Sequence, residues 1–183
     1  MKCRILFVDD EAAVLEGIEM MLYRQRQRWD VAFANGGREG LEIADRDPFA
    51  VVVADMRMPQ MDGIAFLTLM RERSPDTVRM MLTGNTDLGT AIAAVNAGNV
   101  FRFLTKPCEP ELLVGMLEAG VEQHRLITAE RELLTKTLSG SVRMLTELLS
   151  LVDPTGFSHA LWLRDSVRAI GESMRIANPW EVV

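Results

Sequence analysis

The sequence predicts an α/β fold, a parallel sheet with helices on both faces, followed by a helical extension. Three observations carry the prediction. Short apolar runs alternate with amphipathic stretches five times over about 120 residues. The runs Ile5–Val8, Val51–Ala54 and Phe101–Leu104 are apolar enough to be buried strands. Polar residues stand at their carboxyl ends, the edge where open parallel sheets build their sites. Crossovers in such sheets are right-handed, which leaves few topologies.

In chain order, residues 4–8 read as the first strand. Residues 11–28 read as a helix, with Val14, Leu15, Ile18, Met21 and Leu22 at helical spacing, acids early and arginines late, an order that complements the helix dipole. Asp30 to Ala34 is a second, weaker strand. Asn35-Gly36-Gly37 is a turn, and residues 38–46 form a helix with Leu41, Ile43 and Ala44 inward. After Pro48, residues 50–54 make the third strand. Met56 to Gly63 is a loop, 64–73 a helix that stops before Ser74-Pro75, and Thr77 to Leu82 the fourth strand. Thr83-Gly84-Asn85 is a loop, and 87–97 an alanine-rich helix. Phe101 to Leu104 is the fifth strand, and a further helix starts near Glu109.

Asp9, Asp10, Asp55, Thr83 and Lys106 thereby fall on one sheet edge. Carboxylates gathered there repel one another unless a cation joins them, and oxygen-only ligands suit Mg²⁺. A carboxylate can act as a nucleophile and form an aspartyl phosphate. The cation neutralises oxygens of the incoming phosphoryl group, a lysine meets others as a point charge, and a hydroxyl caps the last. The plainer readings are N-capping of the first helix for Asp9 and Asp10, a turn residue for Thr83, and a solvated side chain for Lys106. Lysine is scarce, with only Lys2, Lys106 and Lys136, so a lysine at this edge stands out.

The chain has 183 residues, 48% of them hydrophobic, which suffices for one domain plus an appendage. A net charge of −6 disfavours a general nucleic-acid role. Cys3 and Cys108 form neither a disulfide framework nor a metal spacing and read as reduced thiols of a cytoplasmic protein. No signal segment and no membrane span is legible.

The segments Ile5-Leu6-Phe7-Val8-Asp9-Asp10-Glu11, Asp55-Met56-Arg57-Met58-Pro59-Gln60-Met61-Asp62-Gly63, Thr83-Gly84 and Lys106-Pro107 resemble the receiver domain of bacterial two-component response regulators, over roughly residues 1–125. The resemblance implies a flavodoxin-like (βα)5 sheet of order 2-1-3-4-5, Asp55 as phosphoacceptor and a sensor histidine kinase as partner. It implies Mg²⁺ held by Asp10, Asp55 and the backbone carbonyl of Arg57, with Asp9 acting through water. Thr83 and Lys106 would bind phosphoryl oxygens, and Lys106-Pro107 would be cis. On phosphorylation Thr83 would move toward the phosphoryl group and Phe103 would turn inward behind it. An inert core role is the plainer reading of Phe103. No enzymatic turnover beyond self-dephosphorylation is expected.

From Pro110 the pattern changes. Leu113, Leu117, His124, Ile127, Leu134, Leu138, Leu145, Leu148 and Val152 follow an alternating three/four spacing, with Gly120, Arg131 and Ser141 at the other seam positions. This predicts a long helix with one narrow apolar face, pairing between molecules into a homodimer or packing back on its own domain. Ser139-Gly140-Ser141 is a candidate break. Residues 126–152 are read as linker and 153–183 as the helical start of an incomplete domain. Residues 158–176, with Leu161, Leu163, Val167, Ile170 and Met174, read as its first helix. Leu133 to Ser141 and Asp153 to His159 resemble the entry to an HD-GYP-type phosphohydrolase, which implies a regulator of cyclic di-GMP hydrolysis. The metal-binding His-Asp pair and the Gly-Tyr-Pro of that family are absent here, and His124 and His159 are the only histidines. A transcription factor is disfavoured because Arg164, Arg168 and Arg175 are nearly balanced by Asp165 and Glu172. A flavodoxin-like cofactor binder lacks a glycine-rich loop after the first strand.

Overall fold

A computed structural model describes residues 2–84 and 100–152, together with Trp162 and Ser166. Five parallel strands form one sheet in the order β2-β1-β3-β4-β5. They are β1 (Cys3–Asp9), β2 (Trp29–Asn35), β3 (Val51–Asp55), β4 (Val78–Thr83) and β5 (Arg102–Thr105). Helices α1 (Ala12–Leu22), α2 (Gly37–Arg46) and α3 (Gly63–Arg73) alternate with them, and a long helix spans Pro110–Val152. The expected sheet order is therefore observed. The expected helix at 87–97 and the readings of residues 153–183 lie outside the described residues, save Trp162 and Ser166.

The central strands are apolar through their middles, at Ile5–Val8, Val51–Ala54 and Met80–Leu82, because both of their faces are covered. Leu6, Val8, Val52, Ala54 and Met81 pack with α2 and α3 through Leu41, Phe66, Leu67 and Met70. Ile5, Phe7, Val51, Val53 and Met80 pack on the other face with α1 and the long helix, through Leu15, Ile18, Leu113 and Leu117. Alternate residues of a strand serve opposite faces, so a fully apolar run is what a central strand needs.

Several boundaries differ from the expectation. The first helix stops at Leu22 and tightens into a 3-10 turn over Tyr23–Gln25, so Arg24, Arg26 and Arg28 lie beyond the α-helix. Its first turn holds no acid. Its N-cap is Glu11, whose side chain makes no capping bond; the Glu11 N–H donates to Asp9 Oδ1 at 3.0 Å. Strand β2 begins at Trp29, buried under Arg28, so the second strand is longer than its sequence suggests. Thr83 is the last residue of β4, where it had been expected just after the strand.

The long helix continues through Ser139-Gly140-Ser141, contrary to the expected break. Nothing lies within 4 Å of where a Gly140 Cβ would stand, and ion pairs Lys136–Glu132 and Arg143–Glu147 bracket the glycine at i,i+4 spacing. Each such pair supports a helix by about 0.2–0.5 kcal/mol. The cost of one glycine, roughly 1 kcal/mol, is thus spread over a helix that continues on both sides. The chain divides into two compact units, Met1–Glu130 and Arg131–Val183.

Candidate functional site at the carboxyl edge of the sheet

Strands β1 and β3 are hydrogen-bonded neighbours, so their last residues, Asp9 and Asp55, lie at one edge. Both carboxylates are largely buried, with Asp9 only 1% exposed. Lys106, just beyond β5, reaches them both. Its Nζ stands 2.6 Å from Asp9 Oδ2 and 2.5 Å from Asp55 Oδ1. The backbone N–H of Lys106 donates to the Thr83 carbonyl at 2.8 Å, which fixes the root of the side chain to β4. The Lys106-Pro107 bond is cis, as expected.

Burial pulls the Lys106 ammonium toward a lower pKa, but the hydrogen bonds and charges of Asp55 and Asp9 outweigh it. The net effect is a pKa above the ordinary lysine value. The ammonium is therefore charged throughout the neutral range and offsets one of the two carboxylate charges.

The other oxygen of Asp55, Oδ2, accepts from the Arg57 backbone N–H at 2.7 Å. The loop that follows is pinned at several points. Met56 N–H donates to the Leu82 carbonyl and Gly63 N–H to the Met56 carbonyl, both at 3.0 Å. Met61 N–H donates to the Pro59 carbonyl across Gln60, whose φ is 67°. Asp62 caps α3 by accepting from the Ala65 N–H at 2.7 Å. A Cβ on Gly63 would stand 2.1 Å from the Asp55 carbonyl oxygen, so only glycine lets α3 begin this close to β3. Sequence reasoning read Gly63 as loop punctuation and missed this role. The Asp62-Gly63 pair, a capping residue followed by the smallest residue, was the available signal.

Asp10 does not join the buried network. It is exposed and lines an open depression of about 520 Å³ with Met56, Arg57 and Met58. Thr83 is fully buried, and its hydroxyl donates to the Gly84 carbonyl at 3.1 Å and meets Met56 Sδ at 3.5 Å. The structure thus brings together Asp9, Asp55 and Lys106, ties Thr83 to them through the backbone, and leaves Asp10 at the mouth.

A family model of the response regulator receiver domain matches residues 5–118. This chain belongs to that family. Over 122 residues the receiver is 30% identical to the hydrogenase transcriptional regulatory protein HoxA of Bradyrhizobium diazoefficiens, a match covering 67% of this chain and 24% of HoxA. It is 37% identical over 106 residues to the response regulator protein PilR of Pseudomonas aeruginosa, covering 58% of this chain and 23% of PilR. The chain therefore spans about a quarter of the length of these curated relatives. Among solved structures, one titled adenylate cyclase from Rhodopirellula baltica is 42% identical with a TM-score of 0.69, covering 74% of this chain and 99% of that one. A signal receiver domain of an HD domain-containing protein from Pseudomonas fluorescens Pf-5 is 28% identical with a TM-score of 0.64, covering 72% of this chain and 93% of that one.

The receiver's oxygen donors suit a hard cation. No group of three or more His, Cys, Asp or Glu among the described residues is gathered to hold a metal alone. Mg²⁺ does not need such a cage, because it keeps several waters and takes one or two carboxylates. Phe103 is half-buried against the α2/α3 side of the core, and Phe101 faces the opposite cluster. The family match ends at residue 118, so the resemblance of 133–141 and 153–159 to an HD-GYP entry rests on sequence alone. No helix among the described residues is long and apolar enough to cross a membrane.

Proposed function

We propose that this receiver accepts a phosphoryl group on Asp55 from a sensor histidine kinase, with Mg²⁺ held by Asp10, Asp55 and the Arg57 carbonyl and with Asp9 contributing through water. The single observation that carries the reading is the Lys106 ammonium shared between Asp9 and Asp55 at 2.6 and 2.5 Å. A carboxylate so held is oriented and charge-balanced, and the same ammonium is within reach of a phosphoryl group arriving on Asp55. When bound, Mg²⁺ supplies neutralisation of phosphoryl oxygens. Asp55 is the nucleophile, and its Oδ2, held by the Arg57 N–H, is kept in a fixed rotamer. Phosphorylation adds about −1.5 to −2 charge. Thr83 then leaves Met56 and Gly84 for the new oxygens, and Phe103 follows inward. The chain is a switch with at most self-dephosphorylation and acts in the cytoplasm. Its net charge of −6 supports a role without direct nucleic-acid contact. Its helix beyond Glu130 serves as an output and homodimerisation arm.

A second reading is the regulatory part of a cyclic di-GMP phosphodiesterase of the HD-GYP type. It is favoured by likeness to a receiver whose parent is described as an HD domain-containing protein.

The test is incubation with acetyl phosphate and Mg²⁺ followed by intact mass. The native chain is expected to gain one phosphoryl group and Asp55→Asn none. Equal labelling of the variant would remove Asp55 as the nucleophile.

A further inference from the structure

Thr83 is fully buried at the end of β4, yet its hydroxyl keeps poor company. It donates to the Gly84 carbonyl at 3.1 Å. Among the described residues the one side chain within its hydrogen-bonding reach is Met56, whose Sδ stands 3.5 Å away. The sheet builds this contact. Strands β3 and β4 pair with Asp55 opposite Leu82, and the Met56 N–H continues the ladder to the Leu82 carbonyl at 3.0 Å. Side chains alternate between faces along a strand. Met56 therefore follows Val52 and Ala54, and Thr83 follows Met81, onto the face covered by α2 and α3.

Neither residue is free to withdraw. The Met56 carbonyl accepts from the Gly63 N–H at 3.0 Å, and its side chain is buried in the cluster of Phe66 and Met81, against which Phe103 also packs. The Thr83 carbonyl accepts from the Lys106 N–H at 2.8 Å. With both main chains pinned, the hold on the resting hydroxyl depends on the atom that residue 56 presents to it. A thioether sulfur accepts weakly, and an amide oxygen accepts well.

We propose that Met56 is a positioning residue for Thr83: it fills the space beside the hydroxyl with apolar volume and a weak acceptor, and so sets the rate at which Asp55 is phosphorylated. The proposal rests on the phosphoacceptor reading above, in which the Thr83 hydroxyl caps a phosphoryl oxygen during transfer. That hydroxyl has one proton to give, either to its resting acceptor or to the phosphoryl oxygen. A stronger acceptor at 56 keeps the proton in the resting place and slows transfer. Removing the acceptor leaves the Gly84 carbonyl as before and slows nothing.

The test is the initial rate of phosphorylation of the full-length chain by acetyl phosphate and Mg²⁺, read by intact mass. Met56→Leu keeps the apolar volume without the sulfur and is expected to label at the native rate or faster. Met56→Gln is as long and unbranched but carries an amide oxygen. It is expected to label roughly fivefold more slowly, the factor that one ordinary hydrogen bond is worth. In a Thr83→Val background the glutamine is expected to change the rate by less than about twofold, because no hydroxyl remains to be held. Equal slowing in both backgrounds overturns the proposal. So does a Met56→Gln chain that labels at the native rate, or a Met56→Leu chain that slows as much as the glutamine variant. The contact itself is checked without the glutamine variant. In protein labelled with ¹³C-methyl methionine, the Met56 resonance, assigned by its loss in Met56→Leu, is expected to shift on Thr83→Val, and an unmoved resonance overturns the proposal. An Asp55→Asn chain that labels like the native one removes the phosphoacceptor reading, and the proposal with it, whatever the Met56 variants do.

Discussion

One helix, with one spacing of apolar residues, meets two fates along its length. At Leu113 and Leu117 the stripe is fully buried against the sheet. At Leu134, Leu138 and Leu145 the same stripe is more than half exposed. The change follows from what stands opposite. Gly120 lets the helix close onto β3 and β4: a Cβ there would stand 2.2 Å from Met80 Cε and 3.3 Å from Val51 Cγ2. His124 Nδ1 donates to the Asp76 carbonyl at 2.8 Å, and Arg28 pairs with Glu118 at 2.8 Å. Ile127 is the last seam residue packed in the receiver core. The lesson is that periodicity reports a sticky face but not its occupant. The inward half belongs to the receiver core, and the outward half keeps its apolar residues exposed.

The contrast can be broken or sharpened by substitution. Leu117→Ala should cost about 2–5 kcal/mol in the receiver's urea unfolding, as buried leucine truncations do. A cost below about 1 kcal/mol would mean that this half of the helix is not part of the core. Gly63→Ala should cost about 1–3 kcal/mol, because its Cβ meets the Asp55 main-chain oxygen rather than a yielding side chain. It should also slow phosphorylation, since any relief moves Asp55 or the start of α3. Gly140→Ala, in open space on the exposed half, should instead raise the thermal stability of the arm by about 1 kcal/mol or less. A loss there would reveal a close neighbour. Leu138→Ala should leave receiver unfolding unchanged within about 0.5 kcal/mol while weakening self-association by sedimentation.

Much of this was legible in the chain. The central strands announced themselves because burial on both faces demands unbroken apolar runs, and Asp9 and Asp55 fall at the ends of two of them, while Lys106 follows the edge strand β5, whose run Arg102 interrupts. The strand ends were read to within a residue or two, as for Thr83, because hydrogen-bond pairing rather than composition decides where a strand stops. The helix at 11–28 was read too long, since nothing in Tyr23-Arg24-Gln25 forbids an α-turn. The sharing of one ammonium between two carboxylates was not legible, because side-chain reach across neighbouring strands is a property of the assembled edge. Nor was the approach of Gly63 to Asp55. The coiled-coil spacing was read correctly as a stripe, but its first turns belong to the receiver core, and only the later ones remain for a partner.

The contact between the Thr83 hydroxyl and Met56 Sδ has a consequence for how readily the site responds. A thioether is a feeble acceptor, so the hydroxyl that the proposed switch would move is anchored by little more than one main-chain oxygen. In the proposed switch its departure would sacrifice little, and a phosphoryl oxygen on Asp55 would compete only with that carbonyl for the hydroxyl.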